Sequence, residues 1–326
     1  IISLGCSKNL IDSEVMGGQA AASGMTLVES PDQADIVVIN TCGFIMPAKE
    51  EALEIILTLA QEKTKSGRDL KLIVAGCLSQ RYGKELLVEI PEVDMVIGTG
   101  EVGRIVHHMR NLNTEGYRRS AVITKPDFLM NSRHERILYP DTATAYLKIS
   151  DGCSNGCSYC AIPAIRGKAR SRQPDDILKE AQKLISHGVR EIILIGQDTT
   201  AYGRDLKNRP KLSLLLSDLA SLPGVNWIRL LYTHPAHITT DVLQVIAGHP
   251  KICRYIDLPV QHIDDMILTT MNRGGSSGRI REIIDLSRNL MPDVALRTSL
   301  IVGFPGETPK RFERLLDFVQ EARFDH

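Results

Sequence analysis

The sequence predicts an α/β protein with an amino-terminal open parallel α/β sheet domain followed by a partial (β/α) barrel that stops before its last strand. Two stretches predict this fold class. In residues 1–111 and again in residues 145–326, short apolar runs alternate with helical patterns. Strands and helices that alternate at this length form parallel sheets covered by helices. Residues 112–144 are polar, contain two prolines and keep no period, which predicts a linker between the domains.

Composition and charge narrow the class of protein. The chain has 326 residues, of which 43% are hydrophobic, and its 39 Lys and Arg balance its 39 Asp and Glu. A net charge of zero gives no general attraction to nucleic acid or to an anionic membrane. No apolar run approaches the roughly 18 residues that a membrane-spanning helix needs. Seven cysteines without a secretory signal favour thiolate ligands in a reducing cytosol over a disulfide framework.

Three cysteines of the first domain follow the same structural rule. Cys6, Cys42 and Cys77 each occupy the last position of a predicted strand, in "IISLGC", "ADIVVINTC" and "KLIVAGC". The carboxyl ends of parallel strands share one edge of a sheet, so we expect the three side chains to converge there. The alternative is three independent cysteines packed in the core, because a free cysteine also behaves as a small hydrophobic residue.

The second domain contains five predicted strand–helix units, which fit a barrel or partial barrel better than a long flat sheet. The strands are predicted at about 145–150, 191–196, 227–232, 254–258 and 294–302. The helices are predicted at about 174–187, 211–221, 239–248, 278–290 and 308–323.

A second group of cysteines lies in the loop after the first of these strands. Cys153, Cys157 and Cys160 have the spacing C-x₃-C-x₂-C, and the next potential ligands are distant, at His187 and Cys253. A structural zinc ion takes four ligands, so three local thiolates do not suit it. A [4Fe–4S] cube normally takes four thiolates, and three leave one iron open to a substrate or cofactor. The spacing therefore favours an iron–sulfur cluster with an open iron.

The residues resemble a known family at this point. The segment "CSNGCSYC" (153–160) resembles the motif of radical S-adenosylmethionine (SAM) enzymes. The segments "LIGQDTTAYG" (194–203), "YIDLPVQH" (255–262) and "SLIVGFPGET" (299–308) are similar to the second, fourth and fifth strand motifs of such barrels. The resemblance implies that residues 145–326 are a radical SAM core, in which the open iron chelates SAM and an electron breaks its C5′–S bond.

The first domain narrows the resemblance to the radical SAM methylthiotransferases. The segments "SLGCSKNLIDSE", "INTCGFI" and "AGCLSQRYG" are similar to the branch that modifies a small-subunit ribosomal protein. Residues 1–111 would then be the methylthiotransferase domain with an auxiliary cluster. The resemblance also implies a longer natural protein, since a sixth barrel strand and a carboxyl-terminal TRAM domain do not follow residue 326.

The family resemblance implies a reaction and a set of ligands. Two SAM molecules and two [4Fe–4S] clusters would place a methylthio group on Cβ of an aspartate in the ribosomal protein. One cluster would bind and cleave SAM, and the auxiliary cluster would hold the sulfur. The ligands of the SAM cluster would be Cys153, Cys157 and Cys160. Those of the auxiliary cluster would be Cys6, Cys42 and Cys77.

Other residues are candidates for contact with SAM or substrate, and none beyond the cluster ligands is assigned a catalytic role. The candidates for SAM binding are Tyr159, Gln197, Ile301, Gly303 and Glu307. Four positive charges near the barrel mouth are candidates for substrate or loop-ordering contacts: Arg166, Lys168, Arg170 and Arg172.

Three other functions remain open from the sequence. A tRNA adenosine methylthiotransferase would share every cluster ligand, although zero net charge weighs against a polyanionic substrate. An iron–sulfur electron carrier would need no barrel, and a zinc-binding module would need fourth ligands. The sulfur donor and the reductant have no signal in the sequence.

Overall fold

The computed structural model describes residues 1–138 and 142–326, which form two compact units. The first unit comprises residues 1–138 together with Ala164–Gly167. The second comprises residues 142–163 and 168–326. Residues 139–141, which fall in the predicted linker, lie outside the described residues.

The first unit is built on a five-stranded parallel sheet whose order is β1-β2-β3-β4-β5. Strands β2 and β3 are mostly apolar and are buried at every position after the first, as expected for central parallel strands. On one face, Ile39 and Leu72 pack with Ile56 and Leu59 of helix α2. On the other, Asn40 donates a hydrogen bond to the backbone of helix α1. The elements are β1 (Ile2–Ser3), α1 (Ser7–Ala22), β2 (Ile36–Thr41), α2 (Met46–Ser66), β3 (Lys71–Gly76), α3 (Cys77–Glu89), β4 (Met95–Ile97), α4 (Ile105–Leu112) and β5 (Ser120–Val122).

The segment 112–144 has more structure than a linker pattern suggests. Strand β5 pairs in parallel with β4 in the register Met95↔Ser120. Farther along, the guanidinium of Arg136 lies 2.5 Å from a carboxylate oxygen of Glu14 on α1. A three-residue edge strand has too few residues to show a period in the sequence, so the pattern did not reveal it. The exact domain bounds stay a prediction.

The second unit contains a parallel sheet of order β10-β9-β6 and a parallel pair β11-β12. A single bridge, Ile228↔Ile252, continues the pairing beyond β10. This arrangement confirms the predicted partial (β/α) barrel. Its elements are β6 (Thr144–Lys148), β7 (Ser150–Asp151), α5 (Ile162–Arg166), β8 (Arg170–Ser171), α6 (Pro174–Ser186), β9 (Glu191–Ile195), α7 (Leu212–Ala220), β10 (Trp227–Leu230), α8 (Thr240–Gly248), β11 (Tyr255–Asp257), α9 (Asp265–Thr270), α10 (Ser277–Leu290), β12 (Ala295–Arg297) and α11 (Pro309–Ala322); the last three residues of α5 belong to the first unit.

The structure of the second unit differs from expectation in its short elements. The fifth strand, predicted over 294–302, has ladder pairing only in β12. The antiparallel pair β7-β8 ties together the two ends of the loop that carries the second cysteine group. None of the helices in residues 1–138 and 142–326 is long and apolar enough to cross a membrane.

Candidate metal centres

The cysteines of the first unit lie just beyond the ends of three neighbouring strands. Cys42 directly follows β2, and Cys77 begins α3 directly after β3. Cys6 lies between β1 and α1. Each residue is therefore one to three positions past its strand, because the backbone turns away from the sheet before the thiol. The edge of the sheet is the one that the sequence predicts.

Two glycines show how closely the three cysteine loops approach one another. A Cβ added at Gly5, whose φ is +88°, would lie 2.5 Å from Cβ of Cys42. A Cβ added at Gly43 would lie 2.7 Å from Cα of Leu78 and 2.9 Å from the carbonyl carbon of Cys77. Real side chains do not tolerate such distances, so only glycine lets these loops touch. The predicted convergence of the three cysteines is present in the backbone itself.

Helix α1 supplies a buried amide that supports this site. Asn9 is fully buried, and its side-chain nitrogen donates to the carbonyl oxygens of Leu4 (3.0 Å) and Thr41 (2.9 Å). Its side-chain oxygen lies 3.5 Å from the Cys77 sulfur, which donates to it as a thiol. Asn9 thus ties the turns after β1 and β2 to the third cysteine.

Arg166 lies in the first cysteine site. Its side chain is 3% exposed as part of the first unit. Nη1 pairs with the Asp12 carboxylate at 2.8 Å, and Nη2 lies 2.6 Å from Asn9 Oδ1 and 3.6 Å from Cys77 Sγ. These donors are directed at buried groups of this unit, as the loop-ordering alternative expects, and a substrate contact for Arg166 stays a prediction.

Arg172 also has buried partners, as the loop-ordering alternative expects, and its role as a substrate contact stays a prediction. It is 2% exposed in the second unit, where it donates to the Lys148 carbonyl at 2.8 Å and pairs with Asp176 and Glu180 of α6. These interactions join the start of α6 to the end of β6. Lys168 is exposed and Arg170 is half-buried in β8, and their substrate role stays a prediction.

Burial favours the protonated thiol at two cysteines of the first group. It raises the pKa of Cys77 to about 11, against the opposing effect of the Arg166 guanidinium. Burial likewise raises the pKa of Cys42. Metals bind thiolates, so metal binding at this site would release protons. The positive metal would also stabilise the buried sulfur charges.

The second cysteine group lies on one loop of the second unit. Two hydrogen bonds link this loop to the turn after α9: the Ser158 amide donates to the Met271 carbonyl at 2.8 Å, and the Asn272 side chain donates to the Gly156 carbonyl at 2.7 Å. The Asn155 side chain donates to Asp198 at 2.9 Å. These contacts fix the loop from two sides while leaving its cysteines half-buried.

Two thiols of the second group also have raised pKa values. Burial raises the pKa of Cys153 to about 11, and it raises that of Cys160. Among the described residues, neither cysteine group brings all three sulfurs within 4.8 Å of one another. One tetrahedral zinc ion with 2.3 Å bonds would hold sulfurs roughly 3.8 Å apart. The donor sets, three soft sulfurs with wider spacing, fit a larger iron–sulfur group better than a single ion.

Two predicted SAM contacts differ in their hydrogen bonds: Tyr159, which is part of the cysteine loop, and Gln197, which follows β9. The Gln197 nitrogen donates to Asp151 at 2.8 Å, and its buried oxygen has no partner among the described residues. The Tyr159 hydroxyl accepts from Arg273 at 2.9 Å. An unpaired buried acceptor after β9 suits a ligand that brings an N–H or O–H donor. Gln197 and Tyr159 remain predicted SAM contacts.

The remaining predicted SAM contacts lie in the loop after β12. Glu307 accepts from the Gly303 amide at 2.5 Å and lies 3.0 Å from His262 Nε2. The Ile301 amide donates to the Gln261 carbonyl at 2.8 Å. In this structure Glu307 holds the loop in shape. Direct contact of these residues with SAM stays a prediction.

A buried trio that sequence reasoning did not assign lies beside the second loop. Ligand atoms of Asp198, His234 and His237 lie within 4.8 Å of one another. His237 Nδ1 is 2.6 Å from Asp198, and His234 Nδ1 accepts from the Ala236 amide at 3.2 Å. A neutral His234 therefore carries its proton on Nε2 and offers a donor, not a metal lone pair. Asp198 and His237 form a hydrogen-bonded pair that supports Asn155 in the cysteine loop, and the His234 ring stacks on that of His237.

The electrostatics of this trio follow from burial. Burial would raise the pKa of Asp198, but hydrogen bonds from His237 and Thr200 and the nearby imidazoles hold it at about 2. Burial lowers the pKa of His234 to about 3, and the Arg273 charge lowers it further. His234 is thus a neutral side chain at physiological pH.

Signals for the missed residues were present in part. Asn9 and Asp12 are three and six positions after Cys6, on one face of a predicted helix, and polar residues on a buried face indicate a site. Arg166 gave no such signal, because its position depends on where the segment Ala164–Gly167 packs.

Two family models match the chain. Residues 147–319 match the Radical SAM superfamily, and residues 1–98 match a family described as Uncharacterized protein family UPF0004. The first match covers the second cysteine group and the second includes all three cysteines of the first group.

Curated relatives match over the whole chain. A protein of Syntrophus aciditrophicus (strain SB) named "Ribosomal protein uS12 methylthiotransferase RimO" is 54% identical over 100% of this chain and 72% of its own length. Proteins of the same name from Geobacter sulfurreducens and Clostridioides difficile (strain 630) are 48% and 46% identical, again over 72% of their length.

Solved structures share the fold at low identity. The cobalamin-dependent SAM radical enzyme OxsB has a TM-score of 0.68 at 12% identity, covering 95% of this chain and 49% of that one. The radical SAM methyltransferase TsrM from Kitasatospora setae has a TM-score of 0.63 at 14% identity, covering 90% and 61%. With the relatives, these matches support one assignment. The chain belongs to the radical SAM superfamily, whose members use SAM and a [4Fe–4S] cluster, and within it to the family of ribosomal protein uS12 methylthiotransferases, which are transferases.

Proposed function

We propose that this protein attaches a methylthio group to Cβ of an aspartate in ribosomal protein uS12, using two SAM molecules and two [4Fe–4S] clusters. The relatives that carry the uS12 name support the substrate, since they match the full chain at 46–54% identity. A substrate of the ribosomal small subunit implies that the protein acts in the cytoplasm.

The observation that carries this proposal is the presence of two separate three-thiol donor sets, one in each unit. Inserting sulfur at an unactivated C–H bond needs a means of removing hydrogen and a sulfur atom to replace it. An electron carrier would need neither the second donor set nor a barrel in which the buried Gln197 oxygen has no partner among the described residues. Bound clusters and SAM supply the radical chemistry and the sulfur.

The residues of the chain have distinct tasks in this proposal. Cys153, Cys157 and Cys160 hold one cluster on a loop that Asn272 and Asp198 keep in place. The unpaired oxygen of Gln197 accepts a hydrogen bond from bound SAM. In the other unit, the buried turns around Asn9 present the remaining three thiols as ligands for the sulfur-bearing cluster.

The substrate is tested by mass spectrometry of cells with and without the gene. Loss of a methylthio group from uS12, with tRNA unchanged, is the expected result. Complementation with a Cys42→Ala variant serves as the matched control and should not restore the modification. Loss from tRNA with uS12 unchanged would contradict the proposal and favour a tRNA adenosine methylthiotransferase.

A further inference from the structure

Arg166 is buried, and a cysteine sulfur lies within hydrogen-bond reach of its guanidinium. Its side chain is 3% exposed, and Asp12, its ion-pair partner, is equally buried. A buried charge is stable only when it is paired and hydrogen-bonded, and this guanidinium meets both conditions. The buried ion pair therefore indicates that Arg166 has a role in the first cysteine site.

The two Nη atoms of the Arg166 guanidinium have different partners. Nη1 lies 2.8 Å from Asp12, which fixes the plane of the group. Nη2 lies 2.6 Å from Asn9 Oδ1 and 3.6 Å from Cys77 Sγ. A lysine could not supply both directions, because its ammonium is a single point charge.

Cluster binding would change the Cys77 sulfur from a hydrogen-bond donor into an acceptor, and Arg166 is a donor within reach. The thiol donates to Asn9 Oδ1 at 3.5 Å, but a thiolate ligand has no proton to donate and can only accept. Nη2 is the neighbouring donor already directed at this sulfur. Hydrogen bonds to cluster sulfurs are one of the means by which a protein sets a reduction potential.

We propose that Arg166 is a positioning residue of the first cysteine site, which donates to the Cys77 thiolate and thereby raises the reduction potential of the cluster held there. This inference rests on the proposed function, which places a cluster on Cys6, Cys42 and Cys77. The electron density on the sulfur decreases when N–H donates to it, so the reduced cluster is stabilised relative to the oxidised one.

The test measures the first cluster alone, in the full chain. In a Cys153→Ala/Cys157→Ala/Cys160→Ala background, anaerobic reconstitution should leave about four irons per chain. An EPR-monitored redox titration then gives the midpoint potential. Arg166→Gln should shift it to a more negative value, and Arg166→Lys should produce a smaller shift in the same direction.

A matched control separates hydrogen bonding from general charge. Arg81 is in the same unit and donates to the Gly43 carbonyl at 2.8 Å, beside Cys42, but it is exposed. Arg81→Gln removes the same charge from a solvent-screened position, so its potential should stay within error of the parent. An equal shift in both variants would overturn the inference.

A second variant guards against misfolding. Arg166→Gln leaves the Asp12 carboxylate buried without its cation, so Asp12→Asn/Arg166→Gln removes both charges together. A negative shift in this double variant supports the inference, and four irons with an unchanged potential overturns it. Absence of any cluster in the parent background would instead refute the proposed function, so the two failures are distinguishable.

Discussion

The two cysteine sites each contain three thiols, but the chain brings the thiols together in different ways. In the first unit, the ligands come from three loops after three strands, and two of the thiols are buried. In the second, all three lie within eight positions of one half-buried loop. The first site therefore depends on the order of the sheet, whereas the second depends on local contacts that hold a single loop.

This comparison predicts that small changes in backbone space will damage the first site far more than the second. In Gly43→Ala, the new methyl would lie 2.7 Å from Cα of Leu78, which is backbone and cannot move aside. In Gly156→Ala, it would lie 2.8 Å from the end of the flexible Asn272 side chain. We expect Gly43→Ala to cost about 3 kcal/mol of unfolding free energy. Gly156→Ala should cost less than about 1 kcal/mol.

Denaturant unfolding and iron analysis measure both effects. Gly43→Ala should reduce iron from about eight to about four per chain, while Gly156→Ala should keep about eight. Gly248→Ala, where the added methyl meets nothing within 4 Å, controls for the general effect of replacing glycine. Full iron and parental stability in Gly43→Ala would show that the cysteine loops do not need their close approach.

A pair of asparagines provides a second contrast of smaller size. Asn9 is fully buried and makes two hydrogen bonds to loop carbonyls, so Asn9→Ala leaves buried acceptors unpaired. Asn272 is exposed and makes one such bond, to Gly156. By thermal or urea unfolding, Asn9→Ala should cost about 2–4 kcal/mol and Asn272→Ala about 1 kcal/mol. Equal costs would remove the distinction between a site built by the fold and one built by a loop.

The sequence predicted the arrangement of the first site better than its chemistry. The rule that parallel strands end on one edge placed Cys6, Cys42 and Cys77 together without any local motif. It could not place Arg166, because four residues of the second half, Ala164–Gly167, pack with the first unit. A charge run in the sequence shows neither burial nor partners, so it did not distinguish substrate contact from loop ordering for Arg166 and Arg172.

For the second site, the local motif placed three cysteines together, but it did not predict the contacts that hold their loop. Four of the predicted strands and the five predicted helices agree with the structure to within two residues, whereas the strand predicted over 294–302 pairs only in β12. The contacts of Asn155 with Asp198 and of Tyr159 with Arg273 join residues distant in sequence, and no spacing encodes them. Short elements such as α9 and the β7-β8 pair were missed because they are too brief for a pattern.

The burial of His234 beside the second loop predicts how the stability of the protein depends on pH. Burial lowers the pKa of His234 to about 3, whereas an unfolded histidine has a pKa of 6.5. The unfolded state thus binds a proton that the folded state refuses, so stability is complete above pH 6.5 and is lost as the pH falls toward 3. From pH 7 to pH 5 this group should remove about 2 kcal/mol.

His234→Asn tests that prediction, because the asparagine oxygen can replace Nδ1 as the acceptor for the Ala236 amide. The free energy of unfolding of the variant, measured by urea titration at pH 7, 6 and 5, should fall less than that of the parent by about 2 kcal/mol over the range. Parallel curves for the two proteins would show that His234 is not a buried neutral imidazole.

The most direct test of the two-site account is to quantify 5′-deoxyadenosine and modified uS12 side by side in single-cysteine variants. Cys157→Ala removes a ligand from the second site, so both products should disappear. Cys42→Ala removes one from the first site and leaves the second loop intact, so SAM cleavage should persist under a strong reductant while methylthio transfer is lost. Methylthio transfer by Cys42→Ala at the parental rate would contradict the account, because the first three cysteines would then be structural.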